Sequence, residues 1–219
     1  MDPEFWLERW QANETGFHQD KVQPALVKHW STLDLAKNAR VFVPLAGKSI
    51  DMEWLAVQGH HVIGSEVSEL AVDAFFAERG LMPGVETAGA FTVKRSGPYE
   101  MWCGDFFALP RETLAGVTAA YDRAALVAMP PDMQARYAQK FADLMPAGSR
   151  TLLIGLDYDQ NEMKGPPFAI ARDAINVLFQ DRFDIALIEA RDGPTKAEHL
   201  AKRGITRLEE ASYLLLRRA

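Results

Sequence analysis

The sequence predicts an α/β fold, a doubly wound and largely parallel sheet with helices on both faces. Three observations predict it. Strand and helix patterns alternate from residue 40 to the end of the chain. Several of the strand segments are short apolar runs, as strands buried on both faces are. The first of them leads into Val43-Pro44-Leu45-Ala46-Gly47-Lys48-Ser49, a strand that turns at a glycine into a helix, and Glu66 closes the second strand 19 residues after Gly47. A carboxylate about 20 residues beyond a glycine turn is placed to take ribose hydroxyls in such a sheet.

The elements follow in order. Asp2 then Pro3 is a helix start, a capping carboxylate followed by proline at the first helical position. Phe5, Trp6 and Trp10 give that helix an apolar side. Residues 13–21 read as a loop and 22–30 as a second short helix, so two helices precede the sheet. Strand 40–45 leads to helix 49–58, which stops at Gly59. Strand 61–66 leads to helix 69–79, with Ser68 as N-cap and Gly80 as its stop. Residues 91–95, the Ser96-Gly97-Pro98 turn and residues 99–102 read as a hairpin or as a strand with its lead-in. Strand 117–122 is followed by helix 132–145, and strand 150–156 by a loop with Gly165-Pro166-Pro167, then helix 169–179. Strands 183–190 and 212–217 close the chain, with a short helix at 195–203 between them. No repeat, low-complexity stretch or linker divides the sequence, so one domain over 1–219 is expected.

Composition narrows the function. Apolar residues at 48% and charged residues at 25% of 219 are those of a soluble globular protein. A net charge of −6 argues against non-specific nucleic-acid binding. No run approaches a membrane span, and Met1-Asp2-Pro3-Glu4 begins no signal peptide. A cytoplasmic protein is expected. The single cysteine, Cys103, excludes an intrachain disulfide. The histidines, His18, His29, His60, His61 and His199, have no metal-binding spacing, so no metal is expected.

The glycines point to the ligand. A dinucleotide brings a pyrophosphate and needs G-x-G-x-x-G; here Gly47 stands alone. Gly47-Lys48-Ser49 is also not a P-loop, because Phe42 occupies the position of the second glycine. A single glycine suits adenosine without phosphate, and S-adenosylmethionine is the common example. The competing reading is an ordinary turn and an ordinary surface acid. Asp105 after the third strand region is either an adenine acceptor or a helix cap. Arg123 ends the fourth strand, facing ligand or solvent. Cys103 is either a nucleophile or a small buried residue. Without a G-x-S-x-G elbow, a hydrolase is not supported. Gly47, Glu66, Asp105 and Arg123 follow four successive strands, at the end where open α/β sheets bind ligands.

At these residues the chain resembles the thiopurine S-methyltransferase family in its bacterial form. The matching segments are Phe5-Trp6-Leu7-Glu8-Arg9-Trp10, Gly16-Phe17-His18-Gln19, Val43 to Ser49, Gly64-Ser65-Glu66-Val67-Ser68-Glu69-Leu70, Tyr121 to Ala128 and Gly165-Pro166-Pro167-Phe168. The resemblance implies a Rossmann-like class I methyltransferase sheet of seven strands, the last antiparallel, with residues 1–35 as a helical lid. It implies S-adenosyl-L-methionine as methyl donor and a small aromatic or heterocyclic thiol as acceptor. By position it implies Trp10, Leu45, Gly47, Glu66, Asp105, Phe106 and Arg123 at the donor, with Arg123 also catalytic. Phe17, Pro166, Pro167 and Phe168 would cover the acceptor ring. The late arginine of animal members aligns with His199, whose role is not transferred. Rival readings are a halide or small-thiol methyltransferase, a selenium or tellurium methyltransferase, and a non-catalytic S-adenosylmethionine-binding protein. A nicotinamide oxidoreductase is more distant still, disfavoured by the missing glycines. Nothing in the sequence calls for an oligomer, and a monomer is the simplest expectation.

Overall fold

A computed structural model describes residues 3–192 and 204–219. The chain divides into two compact units, Met1–Tyr121 and Asp122–Ala219. Asp2, the short helix expected at 195–203 and His199 lie outside the described residues.

In the first unit, α1 (Pro3–Gln11) and α2 (Pro24–His29) precede the sheet. Its strands are β1 (Arg40–Val43), β2 (His61–Glu66), β3 (Gly84–Ala88), β4 (Phe91–Ser96), β5 (Tyr99–Cys103) and β6 (Val117–Arg123), which runs across the unit boundary. They lie in the order β3-β4-β5-β2-β1-β6. β5, β2, β1 and β6 are parallel, while β3 and β4 extend the edge antiparallel. β1 and β2 are buried beyond their first residues, around the apolar runs Val41-Phe42-Val43 and Val62-Ile63. Gly64 lets β2 and β5 approach, because a Cβ there would collide with Met101 Sδ. Helices α3 (Asp51–Val57) and α4 (Glu69–Glu78) follow β1 and β2. Ser68 Oγ accepts the Ala71 N–H at 3.3 Å, the expected N-cap.

In the second unit, β7 (Arg150–Asp157), β9 (Glu209–Arg217) and β8 (Phe183–Asp192) lie in that order. The last strand is antiparallel to both neighbours, as expected. Helices α5 (Pro131–Leu144) and α6 (Arg172–Phe179) complete the unit. Its aromatic core includes Phe141, Phe179 and Phe183, with Phe141 stacked on Phe183 at 6.2 Å between centroids.

Three expectations need correction. The described residues hold nine strands rather than seven, because β3 and β4 add an antiparallel extension beside β5. β3 is solvent-exposed along nearly its whole length, so it carries no apolar alternation to announce it. Strand β1 ends at Val43, and helix α6 begins at Arg172 rather than 169. The Ala169 and Ile170 N–H groups are engaged by Gln160 Oε1 and Leu156 O, which holds that stretch outside the helix. Among the described residues no helix is long and apolar enough to cross a membrane.

Candidate active site

Every side chain expected at the donor except those of Trp10 and Phe106 lies at the carboxyl end of a strand. After β1 the chain turns through Pro44 and Leu45 to Gly47. Leu45 has φ 47° and Gly47 φ 53°, so two residues of this turn are left-handed, one without the freedom of glycine. The β2 end holds them there. Ser65 Oγ accepts the Leu45 N–H at 3.4 Å, and Ser65 O accepts the Ala46 N–H at 2.8 Å. Glu66 Oε2 accepts the Gly47 N–H at 2.8 Å.

Glu66 also organises the neighbouring turns. Its Oε1 accepts the Ser68 N–H at 2.9 Å, and its backbone carbonyl accepts the Gly104 N–H at 2.8 Å. One residue therefore ties together the turns after β1, β2 and β5. It is only 5% exposed. Burial pushes its carboxyl above the usual value, and the N–H groups of Ser68, Gly47 and Val67 oppose that rise. Its two oxygens, with about four lone-pair positions between them, accept the Gly47 and Ser68 N–H groups and keep acceptor capacity for hydroxyl donors. A vicinal ribose diol is a pair of such donors, so the residues present fit an adenosine group.

The amino-terminal helix lies over the same turn. A Cβ on Gly47 would sit 3.2 Å from Trp10 Cζ2, so the indole covers the glycine. Phe17 stands edge-on to both Trp6 and Trp10, at 5.4 Å from each. No side chain of α1 is buried. The helix rests on an aromatic cluster instead of entering the core. Arg9 joins it by stacking over Phe5 at 4.5 Å and pairing with Glu14.

Asp105 caps the 3-10 turn Phe106–Ala108, its Oδ1 accepting the Phe107 N–H at 2.9 Å. The cap role is thus realised, and the carboxylate is exposed beside it. Phe106 is 2% exposed and is core, while Phe107 is the half-buried ring of this turn. Cys103 Sγ donates to Val67 O at 3.8 Å, and burial pushes the thiol up to about 11. A thiol that resists ionisation is a poor nucleophile.

In the second unit, Arg123 is the last residue of β6 and is half-buried. Asp122, at 0% exposure, shapes the turn beyond it. Its Oδ1 accepts the Leu126 N–H at 3.2 Å and its Oδ2 the Tyr137 hydroxyl at 2.7 Å. Burial pushes the Asp122 carboxyl up to about 6 against those hydrogen bonds. The Gly165–Phe168 loop is strongly held. Val127 O accepts the Phe168 N–H at 2.6 Å, and Pro167 O accepts the Tyr158 hydroxyl at 2.5 Å. Phe168 is 9% exposed and anchors the loop, which leaves Pro166 and Pro167 as its surface.

The structure therefore brings Trp10, Phe17, Leu45, Gly47 and Glu66 together within the first unit, with Asp105 at a turn tied to Glu66. It links the Arg123 turn to Pro166-Pro167-Phe168 within the second. Sequence reasoning missed Ser65, Trp6, Asp122 and Tyr137. Ser65 and Asp122 stand beside Glu66 and Arg123, but adjacency does not reveal which N–H a side chain will reach. Among the described residues no group of three His, Cys, Asp or Glu side chains converges as a metal site.

Comparison with known proteins shows the family of this chain. The sequence model of the family described as Thiopurine S-methyltransferase (TPMT) matches residues 1–218. The chain is 49% identical over 218 residues to a thiopurine S-methyltransferase of Pseudomonas fluorescens (strain SBW25), covering 100% of both chains. It is 48% identical to that of Xanthomonas axonopodis pv. citri (strain 306), again covering 100% of both. Among solved structures it resembles the Burkholderia thailandensis 1,6-didemethyltoxoflavin-N1-methyltransferase with bound 1,6-didemethyltoxoflavin and S-adenosylhomocysteine. That likeness has a TM-score of 0.67 at 14% identity and covers 99% of this chain and 87% of that one. A S-adenosylmethionine-dependent methyltransferase from Anabaena variabilis follows at TM-score 0.64 and 14% identity, covering 99% and 95%. At such identities the structural likeness speaks for the fold alone.

Proposed function

This chain belongs to the thiopurine S-methyltransferase family, and we propose how its residues divide the reaction. It transfers a methyl group from S-adenosyl-L-methionine to the sulfur of a small-molecule thiol, with an aromatic or heterocyclic thiol of thiopurine type as acceptor. The products are the S-methyl compound and S-adenosyl-L-homocysteine. We read residues 1–219 as one methyltransferase domain, a reading supported by the family match over 1–218.

The observation that carries the residue assignment is the Gly47–Glu66 clamp under Trp10. Glu66 accepts the ribose hydroxyls, and Leu45 and Gly47 present the turn against which the donor lies. Asp105 accepts the adenine amino group with the oxygen capacity left by its cap. Phe106 supports that turn from the core. Trp10 covers the donor side, and Phe17, wedged against Trp6 and Trp10, excludes water. When bound, S-adenosylmethionine supplies a methyl on a cationic sulfonium.

Transfer to sulfur asks the protein for positioning and desolvation more than for a strong base. Arg123 holds the acceptor sulfur as thiolate by charge and hydrogen bonding. Pro166 and Pro167 cover the acceptor ring, with Phe168 as their anchor. No side chain has to accept a proton in the transfer step itself, because an aromatic heterocyclic thiol ionises readily.

The test is methyl transfer from labelled donor across a panel of a thiopurine, a simple aryl thiol, iodide and bisulfide. The expected result is transfer to the aromatic thiols with equimolar S-adenosylhomocysteine. Preferential turnover of iodide or bisulfide would replace this acceptor class. Donor binding without transfer to any acceptor would leave a binding protein.

A further inference from the structure

A buried carboxylate beside a functional arginine invites a question about its purpose. Asp122 is wholly buried, and desolvating an acid costs stability that a well-packed apolar residue would not. The turn it holds is strained as well. Ala124, immediately after Arg123, has φ 66°, a left-handed conformation in a residue that has a Cβ. Two costs at one turn indicate that its geometry matters.

The hydrogen bonds show what the geometry controls. Tyr137, on α5, donates its hydroxyl to Asp122 Oδ2 at 2.7 Å. Asp122 Oδ1 accepts the Leu126 N–H at 3.2 Å and so starts the 3-10 turn Leu126–Ala128. The middle residue of that turn, Val127, gives its carbonyl to the Phe168 N–H at 2.6 Å. A continuous chain runs from Tyr137 through Asp122 and Val127 to the Gly165–Phe168 loop, with Arg123 inside it. The helix face supports it from behind, with Tyr137 stacked on Phe141 at 6.1 Å.

We propose that Asp122 and Tyr137 are positioning residues for the acceptor, setting together the backbone that carries Arg123 and the loop that covers the acceptor ring. The proposal rests on the reading of Arg123 and that loop as the acceptor side. It separates the pair from the donor machinery, which is held by Ser65 and Glu66. Acceptor turnover and donor affinity are therefore expected to come apart when the pair is broken.

The experiment uses the full chain as wild type, Tyr137→Phe, Arg123→Ala and the double variant. kcat/KM for a thiopurine is measured at saturating donor, and S-adenosylhomocysteine affinity by calorimetry. Tyr137→Phe keeps the ring and removes only the hydroxyl. It is expected to lower kcat/KM by roughly 10- to 100-fold, the scale of a small misplacement of reacting groups, with donor affinity unchanged. In the Arg123→Ala background the same change should cost less than it does alone, because part of the pair's effect runs through that residue, and the remainder runs through the loop. Fully additive losses, unchanged kcat/KM in Tyr137→Phe, or a loss that follows donor affinity would each overturn the proposal. If Arg123→Ala itself keeps wild-type kcat/KM, the reading of Arg123 falls, and the proposal with it. If Arg123→Ala loses activity and Tyr137→Phe does not, only the proposal falls. Should Tyr137→Phe fail to fold, Asp122→Asn, which keeps the shape of the side chain, is read against the same outcomes.

Discussion

The Gly47 N–H donates to Glu66 Oε2 at 2.8 Å, across 19 residues of sequence. The carboxylate proposed to take the ribose is thus also the clamp that shapes the turn beneath it. Binding and local folding share one side chain.

That sharing predicts a double effect for Glu66→Ala. Loss of hydrogen bonds to a charged group is worth about 1.5–3 kcal/mol, roughly 10- to 150-fold in S-adenosylhomocysteine affinity. The ligand-free melting temperature should fall as well, because Gly47 and Ser68 lose their acceptor. Calorimetry and thermal melting read the two effects separately. Unchanged affinity would remove Glu66 from the site. Burial raises the Glu66 pKa, so the ionised form, the better acceptor, is lost as pH falls through that raised value. Donor affinity of the wild type should weaken on acidification, and that of Glu66→Gln should stay flatter.

Gly47→Ala should be destabilising by two separable routes. A left-handed non-glycine costs about 1–2 kcal/mol, and the new Cβ would press on Trp10 at 3.2 Å. Adding Trp10→Ala should relieve the second route and leave the first. Denaturant unfolding of the single and double variants measures both. Full recovery in the double variant would show that the φ of 53° carries no cost.

Asp122 should give stability a pH dependence of definite sign. Its carboxyl is raised from 3.8 to about 6 in the folded protein. Between those values the native state binds more protons than the unfolded one, so stability falls as pH rises through the window. The contribution is present below 3.8 and lost above about 6. At 1.36 kcal/mol per unit the swing is about 3 kcal/mol. Unfolding of wild type and Asp122→Asn, compared from pH 4 to 7, should show a stability difference that moves in favour of the Asn variant as pH rises. A constant difference would contradict the assignment.

Cys103 should be chemically quiet. With the thiol at about 11, about one molecule in a thousand carries the thiolate at pH 8. Alkylation should be slow in the native protein and fast after denaturation, and Cys103→Ala should retain methyl transfer. Rapid native labelling coupled to loss of activity would reopen the nucleophile reading.

Arg123→Ala should lower kcat/KM most for thiols still protonated at the assay pH, and the loss should shrink as pH rises through the thiol's own pKa. Arg123→Lys should recover only part, since lysine keeps the charge without the planar fork of donors. A series of aryl thiols of graded acidity, at saturating donor, checks this. A flat response along the series would leave Arg123 with a donor-side role only.

What the sequence determined by itself is local. The run of β2 over His61–Glu66, the Ser68 cap of α4 and the turn at Ser96-Gly97-Pro98 all follow from period, propensity and turn residues within a few positions, while the pairing of β4 with β5 settled the hairpin against a single strand with its lead-in. The 19-residue interval from Gly47 to Glu66 was legible for the same reason, since a strand, a helix and a second strand have set lengths. Packing decided the rest. β3 exists as a strand because the β4 edge offers it partners, with no apolar pattern of its own. Ala169 and Ile170 stay out of α6 because Gln160 and Leu156 claim their N–H groups. That Glu66 holds three turns, and that Asp122 is buried against Tyr137, could not be read from residue order. A buried carboxylate takes its role from whichever donors tertiary structure brings within 3 Å, and desolvation there makes each of those bonds count.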